Sequence, residues 1–68
     1  MTLDDALDTP LSWRPTGRAE FPYETLVDGR HWLVRVNDFP ADALYTLIVD
    51  GREAGDFDDW PGSWERPP

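Results

Sequence analysis

Asp28-Gly29, set between two runs rich in aromatic and β-branched residues, constrains this chain more than any other pair. Asp-Gly supplies the two positive-φ positions of a type I′ turn, so the runs on either side form a hairpin. With those residues as the loop, Thr25 faces Trp32, Tyr23 faces Val34 and Phe21 faces Val36, an aromatic or β-branched side chain in every pair. The opposite face pairs Leu26 with His31, Glu24 with Leu33 and Pro22 with Arg35. Slipping by one residue would scramble this sorting, so turn chemistry and pattern select one register.

The stretch 30–37 has the strongest strand composition and reads as the central strand of an antiparallel sheet. Pro40 and the acids around it end that strand. The next run, 44–49, pairs back with Asn37 opposite Leu44, which sets Val36 against Tyr45, Val34 against Leu47, Trp32 against Val49 and Leu33 against Ile48. Asp50-Gly51 sits in a second Val-Asp-Gly-Arg sequence and turns the chain at the same end of the sheet. A short fourth strand of about residues 52–57 follows, charged in the way that edges are protected from pairing with other chains. The strand before the first turn begins near Ala19 or Glu20, and Pro22 places it at the sheet edge.

The fold expected is therefore mainly β: one small domain over 1–68, with a three- to four-stranded antiparallel meander at 19–57. An irregular or briefly helical N-terminal arm (1–18) and a Trp/Pro-rich tail (58–68) pack on the sheet. In the arm, Thr2 suits an N-cap, Asp4 and Asp5 suit the positive end of a helix dipole, and Leu3 and Leu7 share a face. Trp13, Trp60 and Trp64 lie in irregular segments, where they serve either as core or as outward anchors. The tail is expected to dock as far as Trp64, with the last residues frayed.

A chain of 68 residues buries only ~60% of its unfolded surface and is marginal without a staple or a partner. It has no cysteine, hence no disulfide framework and no thiolate site. Leu26, Leu33, Leu44 and Ile48 make the second sheet face greasier than a solvated face needs to be. Either the two terminal segments divide between the faces, or one face meets another subunit or partner; a homodimer is one such arrangement. No basic stretch followed by an apolar run opens the sequence, and nothing approaches the ~20 apolar residues of a membrane span, so the expected location is cytoplasmic.

Fourteen acids against six bases give a net charge of −8, which disfavours direct contact with nucleic acid phosphates or an anionic membrane. The densest acidic region includes Asp56, Asp58 and Asp59. Its spacing fits a calcium loop only at Asp56 and Asp58, because Trp60 stands where the next ligand belongs, so neither metal nor cofactor is expected. His31 is the only histidine and sits beside a tight turn, and neither Ser12 nor Ser63 lies in a nucleophile elbow, so no enzyme is expected. Glu24 and Arg35 are diagonal neighbours suited to a surface ion pair. Phe39, before Pro40, is expected to plug the open end of the core, with presentation at a loop tip as the alternative.

The function these residues favour is a non-catalytic, acidic protein-binding module, using exposed aromatics and an acidic edge. The candidate contact residues are Phe39, Asp56, Asp58, Asp59, Trp60 and Trp64. The alternative is an acidic imitation of nucleic acid phosphates that occupies the groove of a DNA- or RNA-binding protein. The identity of the protein partner is not legible in the sequence.

Overall fold

A computed structural model describes residues 2–67. Five antiparallel strands run in the order β2-β3-β4-β5-β6: β2 (Arg14–Pro15), β3 (Tyr23–Val27), β4 (Arg30–Val36), β5 (Tyr45–Val49) and β6 (Arg52–Phe57). A second, two-stranded sheet pairs β1 (Leu11–Ser12) with β7 (Trp64–Glu65) in parallel, and one short helix, α1 (Leu3–Leu7), precedes them. The mainly β meander expected from the sequence is present, with one strand more than anticipated. The frayed end expected beyond Trp64 includes Pro68, which lies outside the described residues.

Both Asp-Gly pairs turn as their chemistry dictates. Asp28 and Gly29 have φ of 52° and 78°, and Asp50 and Gly51 have 50° and 80°, the positive pairs of a type I′ turn. Asp50 also ties the two hairpins together, since its N–H donates to the His31 carbonyl at 2.9 Å and its Oδ1 accepts from the His31 N–H at 3.2 Å. The register follows: Tyr23 opposes Val34, Thr25 opposes Trp32 and Leu26 opposes His31, and on the other side Trp32 opposes Val49, Val34 opposes Leu47 and Val36 opposes Tyr45.

The pairing of Phe21 with Val36 does not form. β3 starts only at Tyr23, and the Val36 N–H donates instead to the Glu20 carbonyl at 3.0 Å. Nor is β3 the edge. Arg14 and Pro15 pair with Glu24 and Tyr23, and the Thr16 N–H reaches the Pro22 carbonyl at 3.1 Å, so Pro22 contributes an acceptor at a place where it has no donor to offer. The edge strand is the two-residue β2, in a segment too punctuated by proline and glycine to announce itself.

Both terminal segments lie on one face. Ala6, Trp13, Trp32, Val34, Leu47, Phe57 and Trp64 form the buried core, with Leu3, Leu7, Leu11, Tyr23, Tyr45 and Trp60 packed around it. Trp13 stands between β1 and β2, where the chain leaves its pairing with β7 and takes up pairing with β3, and its backbone N–H donates to the Glu65 carbonyl at 3.0 Å. The rings of Trp13, Trp60, Trp64, Phe57, Tyr45 and Tyr23 then meet in tilted and edge-to-face pairs with centroids 4.9–6.3 Å apart.

β6 reaches the helix through a bulge: Leu47 opposes Gly55 and Ile48 opposes Glu53, leaving Ala54 as the extra residue. A Cβ on Gly55 would stand 2.7 Å from Leu3 Cδ2, so the glycine that weakens β6 as a strand is the place where α1 rests on it.

The second face is held by polar side chains rather than by the termini. Thr46 is fully buried there, and its hydroxyl is saturated: it donates to Asp56 Oδ1 at 2.7 Å and accepts from Asn37 Nδ2 at 2.7 Å and an Arg35 guanidinium nitrogen at 3.3 Å. The expected Glu24 to Arg35 pair is absent. Arg35 turns toward β5 and β6, where Thr46 and Glu53 (3.1 Å) take its guanidinium, and Glu24 meets His31 Nε2 at 2.9 Å.

Candidate interaction surface

The loop between β4 and β5 is closed by its own backbone. The Asn37 N–H donates to the Leu44 carbonyl and its side-chain amide to the Ala43 carbonyl, both at 3.0 Å, while the Asp42 N–H donates to the Asp38 carbonyl at 2.7 Å. Asp58 fixes the returning strand by accepting the Leu44 N–H at 2.9 Å. Phe39 in this loop is 62% exposed, and the Phe39-Pro40 bond is cis.

This corrects the expectation that Phe39 plugs the core. At that end of the sheet Tyr45 already stacks on Phe57 (5.2 Å) and meets Trp60 (5.7 Å), so the opening is filled from the C-terminal side and the phenylalanine stays out. Val36, 38% exposed at the end of β4, is a second large apolar side chain there, because β3 starts too late to cover it.

Carboxylates surround this end. A shallow depression of about 420 Å³ is lined by Glu20, Asp38 and Asp42 together with Arg35, Val36 and Asn37. Arg35 is already engaged by Asn37 (3.0 Å), Thr46 and Glu53, and among the described residues no base pairs with Glu20, Asp38 or Asp42. The arrangement is an exposed aromatic on a braced loop beside three uncompensated negative charges.

The remaining sequence candidates are scattered. Asp56 and Asp58 lie toward the same end but hold Thr46 and the Leu44 N–H, and Asp59 is exposed. Trp60 is half-buried, with its indole N–H on the Trp64 carbonyl at 2.9 Å and the Arg66 guanidinium 4.8 Å from its ring centre. Trp64 is 3% exposed, so its ring belongs to the core and offers nothing to a partner. Sequence reasoning missed Val36, Glu20, Asp38 and Asp42 as a group. The two aspartates beside Phe39 were visible signals, but the exposure of Val36 depends on where β3 begins.

Among the described residues, no three histidine, aspartate or glutamate side chains gather as metal ligands would. No helix there is long and apolar enough to cross a membrane. Compared with known proteins, the chain matches no family model, no curated protein and no solved structure.

Proposed function

We propose that this protein is a non-catalytic binding module that docks a basic protein partner through the Phe39 loop. The observation that carries the reading is the 62% exposure of Phe39 on a loop whose two ends are hydrogen-bonded. A large aromatic presented on a braced loop buries its area without a large ordering cost, which is the property of an interface anchor. The flanking acids and the net charge of −8 favour a partner with a basic rim, and would raise its rate of encounter. Imitation of nucleic acid phosphates would draw on Asp56 and Asp58 as well, and both are occupied within the fold.

The test compares what the wild-type chain, Phe39→Ala and Leu26→Ala each retain from a lysate, eluted in salt steps. Leu26 is 59% exposed on the second face and controls for general stickiness. Loss of ~30-fold in retention for Phe39→Ala alone, the size of a hot-spot residue, supports the reading. Equal retention by the wild type and Phe39→Ala overturns it.

A further inference from the structure

Val27-Asp28-Gly29-Arg30 and Val49-Asp50-Gly51-Arg52 are the same four residues, and both turn with nearly the same backbone, φ of 52° and 78° in the first and 50° and 80° in the second. A Cβ at either glycine would meet nothing within 4 Å, so the fold crowds neither turn. What differs is the tethering of the aspartate. Asp50 Oδ1 accepts the His31 N–H at 3.2 Å, the Asp50 N–H donates to the His31 carbonyl at 2.9 Å, and Oδ2 lies 3.9 Å from Arg30 Nε. Asp28 is exposed, and its carboxylate enters no hydrogen bond or ion pair among the described residues.

An aspartate followed by glycine can close on its own backbone, because glycine has no side chain to obstruct the approach. We propose that Asp28 is a site of spontaneous isomerisation to isoaspartate, and that Asp50 is protected from it by its bonds to His31. The Gly29 nitrogen attacks Cγ of the protonated Asp28 carboxyl; the N–Cγ bond forms, and the amide proton and the carboxyl hydroxyl leave together as water. Water then opens the resulting succinimide. Breaking the N–Cγ bond restores aspartate, whereas breaking the bond from nitrogen to the former backbone carbonyl leaves the chain running through Cβ and Cγ. A type I′ turn fixes the dihedral angles of both central residues, so closure waits on a local opening in which the side chain and the next peptide plane rotate. At Asp28 no side-chain bond opposes that rotation. At Asp50 the carboxylate must first leave the His31 N–H, and the turn must loosen from the neighbouring strand. The extra main-chain atom at residue 28 no longer fits the turn, so the β3–β4 hairpin loosens from that end.

The experiment incubates the full chain at mildly acidic pH and body temperature, natively and in guanidinium chloride. Trypsin cuts after Arg18, Arg30, Arg35 and Arg52, so Asp28 falls in peptide 19–30 and Asp50 in peptide 36–52. Electron-transfer mass spectrometry then locates isoaspartate in each peptide. The native rate ratio of Asp28 to Asp50, divided by the ratio in denaturant, is expected to be about ten, the factor set by the hydrogen bonds that only Asp50 must break. The isoaspartate form, separated by chromatography, is expected to melt below the unmodified chain. A normalised ratio of one or less overturns the proposal. So does the absence of isoaspartate at residue 28 in the native chain over the time in which the denatured chain converts half, and an unchanged melt overturns the loosening of the hairpin.

Discussion

Trp64 Nε1 donates to the Ala6 carbonyl at 3.0 Å, a hydrogen bond between residues 58 apart in the chain. Ser63 Oγ donates to the next carbonyl, that of Leu7, at 2.7 Å, and Thr9 Oγ1 to that of Asp5 at 2.7 Å. A helix of five residues cannot persist alone, and its last carbonyls have no partner within the helix. Here the C-terminal tail supplies much of the C-terminal capping. The same tryptophan is both cap and core, which sets the first prediction.

Trp64→Phe should keep most of the ring packing but remove one donor from the Ala6 carbonyl, which keeps the Thr9 N–H at 3.2 Å, costing about 0.5–1.5 kcal/mol. Trp64→Ala should cost ~3–5 kcal/mol, which approaches the whole stability of so short a chain. Urea unfolding of the two variants checks the order: the first folded with a lower midpoint, the second largely unfolded before denaturant is added.

Gly55→Ala should be destabilising although alanine favours regular structure more than glycine does. The added methyl meets Leu3 Cδ2 at 2.7 Å and Leu3 Cγ at 3.3 Å, so the base of the side chain is engaged as well as its tip, and α1 must move. Overpacking of this kind costs about 1–3 kcal/mol. Thermal melts of Gly55→Ala alone and combined with Leu3→Ala check it, because the second substitution should recover part of the loss.

Thr46→Val preserves shape and β propensity yet removes a hydroxyl that serves Asp56, Asn37 and Arg35 together. A loss of about 1–3 kcal/mol is expected, larger than for Thr46→Ser, which keeps the hydroxyl. Hydrogen exchange of the Leu44 amide would show whether the adjoining loop loosens in Thr46→Val as its anchor is lost.

Asp5 should titrate below the usual carboxylate value. The cause is first the Thr2 backbone N–H, which donates to Asp5 Oδ2 at 3.2 Å, and then the Thr2 side chain. A carboxyl depressed in the folded state contributes its stability in full above the unfolded value, and that contribution is lost as pH falls through the folded value. Carbon-detected NMR titration of Asp5 should show the depression, and Thr2→Ala should relieve only part of it, because the backbone donor remains.

How much of this was legible follows from the range over which each interaction acts. Both type I′ turns, the register of the three central strands and the Thr2 cap rest on neighbours in sequence or across one turn, where side-chain alternation and backbone preference suffice. The strand Arg14–Pro15 was hidden because it exists only where β3 offers it a partner. Phe39 was misplaced for a similar reason. Whether a loop aromatic turns in depends on what already fills the core beneath it, and Tyr45, Phe57 and Trp60 converge there from separate strands and the tail. Arg35 likewise chose among carboxylates that alternation along one strand cannot rank.

By itself the sequence determined a small, acidic, antiparallel sheet, its turns, its register and the apolar face that had to be covered. Tertiary structure alone decided that both termini would cover that one face, that the tail would cap the helix, and that α1 would rest on the sheet at Gly55. The physical reason is that strand pairing is written in a local period of two, whereas covering a face is a contest among all apolar groups in the chain for one limited area, settled only when every competitor is present.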